Sequence, residues 1–299
     1  MDARRDQDLE PQAVVVHDAN ALTGECPCWD PRSDVLWWID IQGQRLLSFS
    51  PRSGERRAVN LPLMPGLITN RRAGGLIVGL EDGFYAFDLA KGLSARLVAA
   101  AEEDGRLRLN DGKADLRGRL WFGSMDKTGG GGRWGGLFVL DTDGSVRKIL
   151  SDITIPNAIA WSPDGSVFYF SDSVTKTIDA YDYDLNTGSL SHKCPFAVYD
   201  EGETPDGVCI DREGGVWIAV VHGNRVERRL PDGRLDRIVP LQVSRPTMPM
   251  LGGVNGSTLF VTSQRRFLTT AELAAQPAAG DLLAIDVGIP AAPCAMAAI

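Results

Sequence analysis

The chain has 299 residues, 43% hydrophobic and 23% charged, with a net charge of −8. That is enough material for one large core, in the composition range of a soluble globular protein. The acidic balance speaks against a nucleic-acid partner, which needs a basic face to displace counterions, while leaving room for a local positive site for a small anion. No run of about 20 apolar residues is present to cross a membrane, so no membrane partner is expected.

In chain order, residues 1–12 (MDARRDQDLEPQ) are polar and read as a disordered segment without a signal core. Residues 14–17 (VVVH) predict a strand. The run LWWID at 36–40, then RLLSF at 45–49, the turn PRSG and a further strand at 56–59 make a four-strand phrase. The phrase returns with central strands starting at 76, 120, 168, 216 and 259, so the steps lie between 40 and 48 residues. Six such units predict an all-β, six-bladed β-propeller, in which blades stack face to face because a lone twisted sheet leaves both faces wet. The strand at 14–16 is placed as a strap closing the last blade. Residues 269–275 are the one helical stretch. The domain is drawn over 13–288, and the Pro/Ala-rich tail 289–299 is expected to be loose. A two-domain all-β protein is the competing reading, and the regular steps disfavour it.

The five cysteines show no framework spacing, which fits a reducing compartment and a cytoplasmic location. Cys26-Pro27-Cys28 lacks a second Cys/His pair for zinc. His17, His192 and His222 match no dyad, and no G-x-S-x-G elbow exists for a serine hydrolase.

In a propeller the first strand of each blade lines the central channel. Counting back ten or eleven positions from each central strand gives Glu25, Gly66, Asn110, Asn157, Asp206 and Pro249. Four of these carry side-chain oxygen and should converge at one mouth. Singly each reads as a turn cap. Together, two carboxylates and two amides in a narrow channel call for a divalent cation, and an all-oxygen set suits Ca²⁺, Mg²⁺ or Mn²⁺, with Zn²⁺ and Fe²⁺ less typical. Arg108 lies two residues from Asn110, on the same side of an extended segment, and puts a fixed positive charge beside the site. The glycines at 129–132 read as a lid.

These motifs resemble a known family. Thr-Gly-Glu25, the run RLNDGKADLRGRLWFGSM at 108–125, Pro-Asn157-Ala-Ile-Ala-Trp-Ser-Pro-Asp-Gly, Tyr-Asp-Tyr-Asp-Leu-Asn-Thr-Gly at 181–188 and Pro-Asp206-Gly-Val-Cys-Ile-Asp are similar, in order, to the senescence marker protein (regucalcin)/gluconolactonase family of sugar lactonases. The resemblance implies a six-bladed propeller with one divalent metal that hydrolyses a sugar lactone. It implies Glu25, Asn157 and Asp206 as metal ligands, Asp206 also as general base, and Arg108 and Asn110 as substrate contacts. It departs after Met125. Animal members carry acidic residues in the loop that follows, whereas this chain has Asp126-Lys127-Thr128-Gly129, with Thr128 at the substrate-contacting position. The alternatives are esterase or organophosphate hydrolysis on the same scaffold, and a non-enzymatic calcium-binding propeller. Sugar identity, metal identity and oligomeric state stay open at this level.

Overall fold

The computed structural model describes residues 12–100, 105–129 and 131–299. Six four-stranded antiparallel sheets form the blades of a propeller. Their innermost strands are Gly24–Asp30, Pro65–Asn70, Leu107–Ala114, Pro156–Trp161, Thr204–Ile210 and Pro246–Gly252. These strands are almost wholly buried. Neighbouring blades cover both of their faces, so they read as apolar or small runs rather than as an alternating pattern. The outermost strands behave oppositely. Arg56–Asn60 and Leu235–Pro240 are mostly exposed and carry charge, which protects the sheet edges from pairing with other chains.

Aromatic side chains fill the gaps between blades. Trp29 of the first blade stacks on Phe260 of the last at 5.9 Å, Trp37 meets Phe87 of the second at 5.8 Å, and Phe84 meets Phe122 of the third at 4.9 Å. Trp121 then meets Trp161 and Phe168 of the fourth. Between the fourth and fifth blades the filling is more aliphatic, with Ala158, Ile178, Val208, Ile218 and Val220 beside Tyr169 and Tyr199. The ring closes as expected: Val14–His17 pairs antiparallel with Leu282–Asp286, so the last blade takes its outer strand from the beginning of the domain. The expected helix is Thr270–Ala275, started by a capping box in which Thr269 and Glu272 satisfy each other's backbone N–H groups.

Residues 1–11 of the segment expected to be disordered lie outside the described residues. The tail 289–299, expected to be loose, is docked. It runs under the propeller from the fifth blade to the second and third. The Arg212 N–H donates to Pro290 O and the Ala292 N–H to Ile210 O; at the far end the Ala297 N–H donates to Asn70 O and the Ala298 N–H to Gly118 O. Ala297 is fully buried. Composition reports side-chain character only, and this segment is held through its backbone. No helix among the described residues is long and apolar enough to cross a membrane.

One feature of the fold positions the candidate site. All six innermost strands break register with their neighbour near the same mouth, at Glu25/Cys28, Pro65/Leu67, Asn110/Gly112, Asn157/Ala160, Pro205/Val208 and Pro246/Met248. Such a bulge leaves an extra residue unpaired and re-aims its side chain. In three blades the residue after the polar one is left-handed: Cys26 (φ 46°), Asp111 (φ 50°) and Ala158 (φ 60°).

Candidate active site

The bulges bring Glu25, Arg108, Asn110, Asn157 and Asp206 to one end of the channel, all of them buried. The second blade contributes no side chain. A Cβ on Gly66 would lie 2.2 Å from Leu109 O, so glycine is what lets the third blade approach. In the last blade the register differs from the expected one. The hairpin after the innermost strand is longer, Leu259 pairing with Leu251 where Leu36 pairs with Trp29, and the bulge falls at Pro246–Met248 rather than at Pro249. Thr247 stands there, and its hydroxyl donates to Gly24 O at 2.5 Å, joining the last blade to the first.

A continuous chain of hydrogen bonds crosses three blades. Arg108 Nη1 donates to Asn110 Oδ1 at 2.7 Å and to Leu109 O at 2.9 Å. Asn110 Nδ2 donates to Pro156 O at 2.8 Å and to Asn157 Oδ1 at 3.2 Å. Asn157 Nδ2 donates to Ser173 Oγ at 2.9 Å, and Ser173 Oγ donates to Pro205 O at 2.8 Å, beside Asp206. Each amide is thereby held in one orientation. Ser173 was not among the residues singled out from sequence. It follows the fourth blade's second strand, outside the register used to find the others.

Three carboxylates share this buried space, and among the described residues none of them forms a salt bridge. Asp111 is consumed structurally: Oδ1 accepts the Gly112 N–H at 2.7 Å and Oδ2 the Ile159 N–H at 3.1 Å, which ties the third blade to the fourth. Glu25 accepts only the N–H of its neighbour Cys26, at 2.9 Å. Burial holds Glu25 well above the usual carboxylate range, and the Asp206 charge adds to this. Burial pushes Asp206 up to about 8, helped by Asp111 and opposed by Arg245. Burial likewise lowers Arg108 to about 10, against the pull of Glu25. Among the described residues no three His, Cys, Asp or Glu side chains are arranged to hold a metal; Glu25, Asn157 and Asp206 are two carboxylates and an amide. The fit to a hard cation therefore rests on donor chemistry. Two buried acids without a salt-bridge partner, beside an oriented amide, would be stabilised by a divalent ion bound there.

Thr128 stands apart from this group. It is exposed on the loop after Leu120–Asp126, and its hydroxyl donates to Asp126 Oδ1 at 2.8 Å. The loop leaves blade three at the Arg108 end, because Asp126 pairs with Leu107. Farther along it Trp134 is 58% exposed, with the Arg106 guanidinium over its ring at 5.2 Å. Of the histidines, His17 packs edge-on to Trp38, His192 pairs with Asp182, and His222 reaches the mouth through Arg245 Nη1 at 3.1 Å.

A cavity of about 540 Å³ lies at the opposite end of the channel, under the tail, where Cys28, Lys113, Cys209 and Met250 line it. None of Glu25, Arg108, Asn110, Asn157 or Asp206 forms its wall. Chemistry rather than volume locates the candidate site.

Residues 23–265 match the SMP-30/Gluconolactonase/LRE-like region. The chain is 32% identical over 274 residues to regucalcin of Oryctolagus cuniculus, covering 89% of this chain and 91% of the relative. It is 34% identical over 287 residues to a 6-deoxy-6-sulfogluconolactonase of Pseudomonas putida, covering 94% and 96%. Among solved structures it superposes on a calcium-binding protein, regucalcin, from Agrobacterium tumefaciens, with a TM-score of 0.90, 27% identity, and 97% and 98% of the two chains covered.

Proposed function

Since the chain belongs to the SMP-30/gluconolactonase/LRE-like family, we propose that it hydrolyses an aldonolactone to the aldonic acid, with one divalent cation held by Glu25, Asn157 and Asp206. The observation that carries this reading is the pair of buried, unpaired carboxylates set against the Arg108–Asn110–Asn157 chain at one mouth. A bound cation would supply Lewis-acid polarisation of the lactone carbonyl and neutralise the two acids. Asp206 accepts a proton from the attacking water and returns it to the ring oxygen as the ester C–O bond breaks. Arg108 stays cationic at neutral pH and, with Asn110, binds the sugar oxygens. Thr128 and the loop carrying Trp134 contact the sugar from outside. The relative described as a 6-deoxy-6-sulfogluconolactonase supports the lactone class. All five cysteines are free, which supports a reducing, cytoplasmic location.

The test is a panel of aldonolactones assayed with metal-stripped protein and with Ca²⁺, Mg²⁺, Mn²⁺, Zn²⁺ or Fe²⁺ restored. Asp206→Ala and Glu25→Ala should each abolish turnover while leaving the far-ultraviolet circular dichroism unchanged. Full activity in either variant, or in metal-stripped protein, sinks the mechanism. A second reading, calcium binding without catalysis, is favoured by the description of the Agrobacterium protein as calcium-binding; it predicts calcium affinity with no lactone turnover. Organophosphate hydrolysis is disfavoured because none of the three histidines joins the carboxylate group.

A further inference from the structure

The mouth of the channel carries positive charge that the site described so far does not use. Arg245 precedes the last blade's innermost strand, and Arg266 lies just past the end of the adjacent strand Thr258–Ser263. Their guanidinium groups lie over one ring, that of Phe267, at 5.4 and 4.5 Å. Phe267 is 67% exposed and has φ +70°. A bulky aromatic in the left-handed region is strained and leaves its ring in water, so ordinary packing does not account for it. The loop is pinned by the backbone N–H groups of Arg265 and Arg266, both donating to Leu22 O.

Two of the cations are also under-bonded. Arg108 Nε and Arg245 Nε are buried without a hydrogen-bond partner, and Arg108 as a whole is 8% exposed. Among the described residues none of Arg108, Arg245 and Arg266 forms a salt bridge. The acids that face them are engaged or distant. Glu81 is held by Lys127 at 2.7 Å, Glu272 is exposed and bound into its capping box, and Glu25 and Asp206 are the proposed cation ligands. Arg266 is near enough to Arg108 for the two charges to repel. Three guanidiniums at one mouth, two of them with an unpartnered Nε donor and none in a salt bridge among the described residues, are suited to an anion. The planar arginine fork matches sulfonate, phosphate and carboxylate oxygens, and a charged rim raises the local concentration of an anionic ligand.

We infer that Arg245, Phe267 and Arg266, with Arg108 behind them, form an anion subsite, and that the preferred substrate is an aldonolactone bearing a negatively charged substituent. The substrate part rests on the lactonase reading; the subsite does not. Binding is therefore measured apart from turnover. Calorimetry on the full chain compares D-glucitol 6-phosphate with D-glucitol, which cannot be hydrolysed as lactones. The phosphate should bind at least tenfold more tightly at low salt, with the advantage shrinking as salt is raised. Arg266→Ala and Arg245→Gln should each cut that ratio about tenfold. Equal affinities, or a ratio unmoved in both variants, overturn the subsite. Turnover then compares 6-phosphoglucono-1,5-lactone with glucono-1,5-lactone. A kcat/KM at least tenfold higher for the phosphorylated lactone supports the substrate assignment. Efficient hydrolysis without charge preference overturns it alone. Hydrolysis of neither lactone, with the binding preference intact, overturns the lactonase reading and the substrate assignment and leaves the subsite standing.

Discussion

Asp206→Asn tests the idea that the channel is built around a cation rather than for its own stability. Burial lifts the Asp206 carboxyl from its ordinary 3.8 to about 8. Between those values the folded protein holds a proton that the unfolded chain has released, so this group's contribution to stability falls as pH rises through that window. At neutral pH, with the folded carboxyl set against one that ionises freely when unfolded, the cost is on the order of 4 kcal/mol. An amide of the same size can still accept the Gly207 N–H but must itself be desolvated, so about 2 kcal/mol of that cost is expected to be recovered. The assay is urea unfolding of wild type and variant in EDTA at about pH 5 and about pH 8, repeated with excess calcium. In EDTA the variant should be the more stable, by more at the higher pH. Calcium should reverse the order, because an ion bound only by the folded state stabilises the protein that has the intact site. A variant less stable than wild type in EDTA at both pH values would refute the reasoning, as would calcium failing to reverse the order.

Three further outcomes are expected. Ser173→Ala leaves Asn157 Nδ2 without its 2.9 Å acceptor, and calcium affinity measured by titration calorimetry should drop about tenfold, in the range seen when a ligand's supporting hydrogen bond is removed; unchanged affinity would mean that Ser173 has no positioning role. Deleting residues 289–299 removes the backbone bonds to Ile210, Asn70 and Gly118 and should cost about 2 kcal/mol in urea unfolding, while Cys28 becomes reactive to a thiol reagent. Asp211→Ala leaves Arg228, 3% exposed and bonded to Asp211 at 2.7 Å, without its buried partner; a loss of about 3–5 kcal/mol is expected, read from the urea midpoint.

The propeller was legible because burial between blades imposes the same apolar run every 40 to 48 residues, and that period survives divergence of everything else. The convergence of Glu25, Asn110, Asn157 and Asp206 followed from the same period. It held where hairpin lengths were similar and slipped in the last blade, where a longer hairpin displaced the register from Pro249 to Thr247. The bulges themselves leave no mark in hydropathy, since they alter backbone geometry without changing which residues are apolar. Ser173 could not be found by counting back, because it reaches the site from the far end of the next strand. The tail 289–299 reads as loose from sequence for a related reason: its alanines and prolines offer no side-chain signal, and the bonds that dock it are made by backbone groups that every sequence has. Arg245 and Phe267 sit in loops, where no period applies.

The strap formed by Val14–His17 has a consequence for how the molecule comes into being. Its partner, Leu282–Asp286, is made only after all the intervening blades, so the strap strand waits unpaired while they are synthesised. Asn20 and Asp281, joined by a 3.0 Å bond across 261 residues of chain, wait with it. Contacts so distant in sequence make the final step slow. Glu25 and Asp206, the two acids proposed to hold the ion, therefore meet at their final separation only when the circle is shut, so a metal site there would form last of all.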